Sequence, residues 1–150
     1  MSEPVQAAGV LGRDDLGFLL AKASQRWNEL LAERFGAAGY GDVRPSYGSV
    51  LLPLFEENGL RMGELAQRAR LSKQTMTTLV RRLEREGLVT RQADAGDARA
   101  SLVFLTARSR AFEPVAADVL GELDRLVRER LDDEQVEEVK AALRELIGLR

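Results

Sequence analysis

Apolar residues recur at intervals of three and four along most of this chain, and only between Leu88 and Leu105 does the spacing tighten to that of short strands. The sharpest stretch runs from Lys73 to Glu86, where Met76, Leu79, Val80 and Leu83 gather on one side of a helix at about 100° per residue. Ser72 stands where an N-cap hydroxyl accepts an orphan N–H, and Gly87 where a left-handed C′ residue belongs. Leu88 then falls where a Schellman motif places an apolar contact with Leu83. A preceding helix from about Met62 to Arg70 carries the stripe Met62, Leu65, Ala66 and Ala69, and Leu71-Ser72 joins the two as a helix-turn-helix is joined.

The flanking pattern is helical too. Asp14 or Asp15 caps a first helix that runs to about Phe35 with Leu16, Leu20, Ala23, Trp27, Leu30, Leu31 and Phe35 as a buried stripe. Pro45 opens a second helix towards Glu57, and Pro53 inside it predicts a kink or an irregular turn. Leu88 to Ala93 and Ser101 to Leu105 are strands of a hairpin around a tip at Asp94 to Ala100. Both the Leu102/Phe104 set and the Val103/Leu105 set are apolar, so the period of two leaves open which faces the helices. Thr106 caps a long helix with Phe112, Val115, Val119, Leu123, Leu126 and Val127, interrupted early by Pro114 and ending near Leu131. Asp132 and Gln135 form a capping box for a last helix that buries Val136, Val139, Leu143 and Ile147 and stops at Gly148. Met1 to about Gly12 has no period and reads as an arm.

The fold class is therefore mainly α with a small β-hairpin wing: a winged helix-turn-helix embedded in a helical dimerisation scaffold. Residues 13–58 form N-terminal helices, 59–106 the winged helix-turn-helix and 107–150 the C-terminal helices of one chain. The outer stripes exceed what one small winged core covers, which predicts a homodimer.

Chemistry narrows the function. With no cysteine and no histidine, the chain lacks thiol redox chemistry, thiolate metal sites and the commonest general base, and no phosphate loop or nucleophile-base pair stands in their place. An enzyme is not expected, nor a cofactor or metal. No apolar run is long enough to span a membrane and no secretory leader is evident, so a soluble cytoplasmic protein without membrane contact is expected. The net charge of −2 conceals a division: residues 61–110 hold 11 basic and 5 acidic side chains, a net of +6 against −8 elsewhere. A basic module on an acidic scaffold suits a polyanionic partner.

On the helix from Lys73, the side opposite the stripe gathers Gln74, Thr77, Thr78, Arg81 and Arg85, amide, hydroxyl and guanidinium groups able to read base edges. Ser72, Lys73 and Arg82 belong to the same expected DNA-binding set. At the wing, Arg99 is placed to enter a minor groove, with Asp97 holding its guanidinium by an ion pair. A winged helix serving only as a protein-interaction module is the alternative, but it needs no basic face, and Arg81, Arg82 and Arg85 weigh against it.

Together, GLRMGELAQRARLSKQTMTTLVRRLEREGLVTR, the Asp97-Ala98-Arg99 wing motif, Ser101 to Thr106 and the acidic start of the last helix at Leu131 to Glu134 resemble the MarR family of transcriptional regulators over nearly the whole chain. The resemblance implies a homodimer with intertwined terminal helices, two winged helices on a pseudopalindromic double-stranded DNA operator, and commonly repression relieved by a small aromatic or phenolic ligand. A ligand cleft between dimer helices and winged helix would draw on Trp27, Tyr40, Arg44, Tyr47, Leu51 and Phe55, with the Arg44 guanidinium suited to an anionic aromatic ligand. Pro53 and Pro114 depart from the family pattern in helices that usually line that cleft, Arg44 is a poor N-cap, and the thiol-sensing branch is excluded for want of a cysteine.

Overall fold

A computed structural model describes residues 11–150, so the arm expected at Met1 to Gly12 lies almost wholly outside the described residues. Helix α1 spans Leu16–Ala37, capped by Asp15, whose carboxylate accepts the Phe18 N–H at 3.0 Å. A 3-10 turn, Pro45–Tyr47, leads into α2, Gly48–Glu56. Strand β1, Leu60–Arg61, precedes α3, Met62–Ala69, and α4, Lys73–Arg85. The wing is β2, Val89–Asp94, with β3, Asp97–Leu105; α5, Ala107–Arg128, and α6, Asp133–Ile147, complete the chain.

The ends of α4 follow the sequence closely. Ser72 Oγ accepts the Thr75 N–H at 3.1 Å, and the helix stops one residue short of the expected Glu86, which caps it. Gly87 is left-handed at φ 75°, Leu88 N–H reaches the Leu83 carbonyl at 2.9 Å and Gly87 N–H the Glu84 carbonyl at 3.1 Å. Both bonds of a Schellman motif are present, and its two leucines are fully buried. Helix α3 ends the same way one residue earlier than expected, with Arg70 rather than a glycine at φ 55°. Thr106 and Ser109 cap α5 reciprocally, and Asp132 and Gln135 do so for α6.

Burial decides where the prolines matter. Helix α5 runs unbroken through Pro114 instead of being interrupted there, because Phe112, Ala116, Val119 and Leu123 anchor it to the core while the proline sits on the exposed side. Helix α2 likewise passes through Pro53, held by buried Val50, Leu51 and Leu54; the irregular turn lies at Pro45–Tyr47 instead.

Two features of the sheet depart from the expected two-stranded hairpin. Leu60 and Arg61 pair antiparallel with Val103 and Leu102, giving a three-stranded sheet ordered β1-β3-β2. The tip is also shorter than Asp94 to Ala100: β3 begins at Asp97, and the register jumps from Ala93↔Ser101 to Asp94↔Asp97, leaving residues 98–100 as a bulge. Val103 is fully buried with Leu105 packed on the core, which settles the facing set.

One core joins Phe35, Tyr47, Leu54, Leu65, Val80 and Phe112 from five helices and the 3-10 turn, with the sheet beside them. The outer stripes are another matter. Leu16 and Leu20 at the start of α1 are exposed, as are Val139, Leu143 and Ile147 on α6, where only Val136 is buried in the protomer. Ala23 is exposed as well. The burial expected for these residues is absent from the single chain.

Candidate nucleic-acid interface and ligand cavity

Helix α4 presents Gln74, Thr78, Arg81 and Arg85 outward, all exposed, opposite fully buried Met76, Val80 and Leu83. Lys73 and Arg82 are exposed to either side of this strip, and Thr77 is half-buried beside it. The threonine hydroxyls are already engaged: Thr77 Oγ1 donates to the Lys73 carbonyl at 2.8 Å and Thr78 Oγ1 to the Gln74 carbonyl at 3.1 Å. With those protons committed, each threonine offers its methyl and its lone pairs, so methyl contact with thymine suits them better than donation to phosphate. Ser72 is spent on capping and donates to Thr75 Oγ1 at 2.8 Å.

The wing lies against the start of α4. Lys73, Asp97 and Arg99 share a cleft of about 560 Å³ with Arg61, Glu64 and Gln67. Asp97 does not hold the Arg99 guanidinium as expected. Its carboxylate accepts the main-chain N–H of Arg99 at 3.0 Å, closing a local turn in the bulge. The exposed Arg99 side chain is thus positioned through its backbone. Near the wing tip Arg61 pairs instead with Asp94, which sequence reading missed because β1 is two residues long and carries no period, and lower on the wing Arg91 pairs with Glu84 of α4 at 3.0 Å. Asp94 also accepts the Gly96 N–H at 2.9 Å, and that bond, followed by Arg61, holds its carboxyl below the usual range.

A second site lies behind this surface. A cavity of about 280 Å³ opens between α1, the 3-10 turn, α2 and α5, and Trp27, Arg44, Leu51 and Phe55 of the expected six residues line it. The other two do not. Tyr40 packs on Phe112 with ring centroids 5.0 Å apart, and Tyr47 is wholly buried in the core. Phe35 and Phe112, edge to face at 4.9 Å, supply aromatic wall in their place, with Asn28 and Ser49 as polar groups. Phe35 and Phe112 sit on ordinary helix stripes, and only the approach of α5 to α1 turns them into cavity wall. Arg44 is exposed at the cavity's edge, and no ion pair among the described residues engages it.

The Tyr47 hydroxyl and Glu86 Oε2 are both buried without a hydrogen-bond partner. Burial chiefly, and the neighbouring Glu86 carboxylate next, push the phenol above its ordinary value of 10.0. The end of α4 is held from outside as well, since Thr106 Oγ1 donates to the Gly87 carbonyl at 2.7 Å and Arg108 reaches the Glu86 carbonyl at 3.3 Å. Among the described residues no cluster of carboxylates is arranged to hold a metal ion, and no helix is long and apolar enough to cross a membrane.

Comparison with known proteins agrees with this architecture. A family model described as MarR family matches residues 45–101, from the 3-10 turn through the wing. An HTH-type transcriptional repressor of Mycobacterium tuberculosis is 38% identical over 93 residues, 62% of this chain and 67% of the relative. A probable transcriptional regulator from Pseudomonas aeruginosa superposes with a TM-score of 0.76 at 28% identity, over 89% of this chain and 97% of that one. The transcriptional repressor CouR, solved bound to a 23-mer DNA duplex, does so with a TM-score of 0.77 at 25% identity, over 97% and 99% of the two chains. Its relatives are transcriptional regulators, its fold is theirs, and the chain belongs to the MarR family.

Proposed function

We propose that the chain is a sequence-specific transcriptional regulator that binds a pseudopalindromic double-stranded DNA operator as a homodimer, represses from it, and is released by a small anionic aromatic ligand. The outward strip of α4 carries the DNA reading: amide, methyl and guanidinium groups stand together without a carboxylate among them, and a basic wing residue flanks them on the same face. That a DNA-bound repressor shares the fold supports the same reading. The exposed apolar residues of α1 and α6 support the dimer, since two copies burying them would present two recognition helices to two half-sites.

The cavity supports the ligand. It is small, largely apolar, aromatic on several sides and has one guanidinium at its edge, which fits a single ring bearing a carboxylate or phenolate. Its wall includes Gly48 and Ser49, at the start of α2, and Ser49 also faces α4 across a neighbouring cleft. A ligand that displaced this turn would act directly beside the recognition helix.

The test begins with duplexes selected from a random library. Binding should weaken steeply with salt, as a reader making several phosphate contacts must. Arg81→Ala should weaken specific binding by about 1–3 kcal/mol and relax base preference at one position of each half-site, with the melting temperature unchanged. Arg99→Ala should instead alter preference for A·T-rich flanks. Aromatic acids should quench Trp27 and release DNA in a manner that Arg44→Ala abolishes; release that spares both signals would move the ligand elsewhere.

A further inference from the structure

A helix seated in a major groove about 12 Å wide has a sugar-phosphate backbone on each side of it. The surroundings of α4 match that geometry on both flanks. On the Lys73 side lies the wing cleft with Arg61 and Arg99. On the other flank, a second cleft of about 510 Å³ lies between α4 and the turn leading into α2, and its polar lining is Ser46, Ser49, Gln74, Thr75, Thr78 and Arg82. No acidic residue lines it.

The donors in this second cleft are available. Ser46 and Arg82 are exposed, and among the described residues no ion pair engages the Arg82 guanidinium. Hydroxyl and guanidinium donors lining one cleft that no carboxylate lines suit a phosphate oxygen, and the cleft runs along the Gln74 and Thr78 edge of the base-reading strip of α4, with Ser46, Ser49 and Arg82 beyond that edge. We propose that Ser46, Ser49 and Arg82 form a clamp for a backbone phosphate on the side of the recognition helix away from the wing. This rests on the DNA-binding reading and adds to it a second element, the turn before α2, as part of the interface. Because the contact is to phosphate, it sets register and affinity without discriminating sequence.

The experiment takes the highest-affinity duplex selected from a random library and replaces its phosphates one at a time by methylphosphonate. With the wild-type chain, one position per half-site on the flank away from the wing should show a loss that shrinks in Ser46→Ala and shrinks further in Arg82→Gln, the sign of a shared contact. Ser46→Ala alone should weaken selected and unrelated duplexes alike by about tenfold, as expected for a hydrogen bond to a charged oxygen. Arg82→Gln should lower the slope of log affinity against log salt by about 0.9, one phosphate's worth, and Ser46→Ala should not. Melting temperatures check that both variants fold.

If every methylphosphonate loss persists undiminished in both variants, the clamp is wrong while the DNA reading stands. If inorganic phosphate at constant ionic strength stabilises the wild type but not Arg82→Gln, and DNA binding is untouched, the cleft serves a free anion and the clamp is again refuted. If the wild type selects no duplex, the DNA reading falls and takes the clamp with it.

Discussion

Tyr47 is the residue at which composition and environment conflict most openly. A phenol placed wholly in the core with an unpartnered hydroxyl, facing an unpartnered carboxylate oxygen of Glu86, forgoes hydrogen bonds that water would supply. Tyr47→Phe removes that desolvated hydroxyl and keeps the ring but also takes the nearest donor from the buried Glu86 carboxylate, so the two effects oppose each other and stability should change by less than about 1 kcal/mol, where truncating a well-bonded buried tyrosine would cost more. Its pH dependence has a definite sign. Well below pH 10 the phenol is protonated in both folded and unfolded chains; as pH rises through 10 the unfolded chain ionises first because burial raises the native value, and stability falls as pH climbs towards that value. Chemical denaturation across the alkaline range should show a smaller decline in Tyr47→Phe than in the wild type. An equal decline would place the ionisation elsewhere.

At the scale of elements, two left-handed glycines do different work. Gly87, at φ 75°, ends α4 in open space, and a Cβ there would meet nothing within 4 Å. Gly59, at φ 78°, leads into β1 under the ring of Phe104, and a Cβ there would sit 2.7 Å from Phe104 Cε1. Gly87→Ala should therefore cost only the left-handed backbone penalty, about 1–2 kcal/mol. Gly59→Ala adds an overpacking term of about 1–3 kcal/mol and should loosen β1 from β3, because Phe104 must move. Asn58 would feel the same displacement, since its side-chain carbonyl accepts the Leu105 N–H at 2.9 Å. Denaturant midpoints of the two variants measure the difference; equal losses would show that the ring yields freely. The wing itself is held by local turns at Asp94 and Asp97 and by the Arg61–Asp94 pair, so its geometry comes from main-chain bonds more than from the pairing of surface charges.

The whole molecule is organised around an imbalance between its middle and its ends. Residues from Phe35 to Leu123 share one core, whereas Leu16 at 58% exposure, Leu143 at 40% and Ile147 at 56% remain open in the protomer. Apolar stripes of this extent on helices that are otherwise well capped call for a second surface. Leu143→Asp introduces its charge at a position exposed in the single chain, so the core should survive, with a dimer converted to monomer in sedimentation at micromolar concentration. Operator affinity should fall with it, since the two half-sites would no longer be bound as one. A dimer of wild-type strength in this variant would remove α6 from the interface.

The sequence by itself determined the elements whose signals are local. Caps at Asp15, Ser72, Thr106 and Asp132, the Gly87 stop, the Met76-Val80-Leu83 stripe and hence the outward strip of α4 all follow from hydrogen-bonding groups and rotation within one helix, which neighbours in sequence suffice to define. Tertiary structure decided what depends on partners distant in the chain. The two residues of β1 have no period to detect and become a strand only because β3 offers them hydrogen bonds, and that pairing brings Arg61 to Asp94. Pro53 and Pro114 look like helix breakers locally, yet the burial of their neighbours outweighs the lost bonds. Trp27, Arg44, Leu51 and Phe55 form one cavity, while Tyr47 is withdrawn into the core and Tyr40 behind Phe112, because the approach of α1, α2 and α5 assigns each ring its side, and helical periodicity within a segment carries no information about that approach.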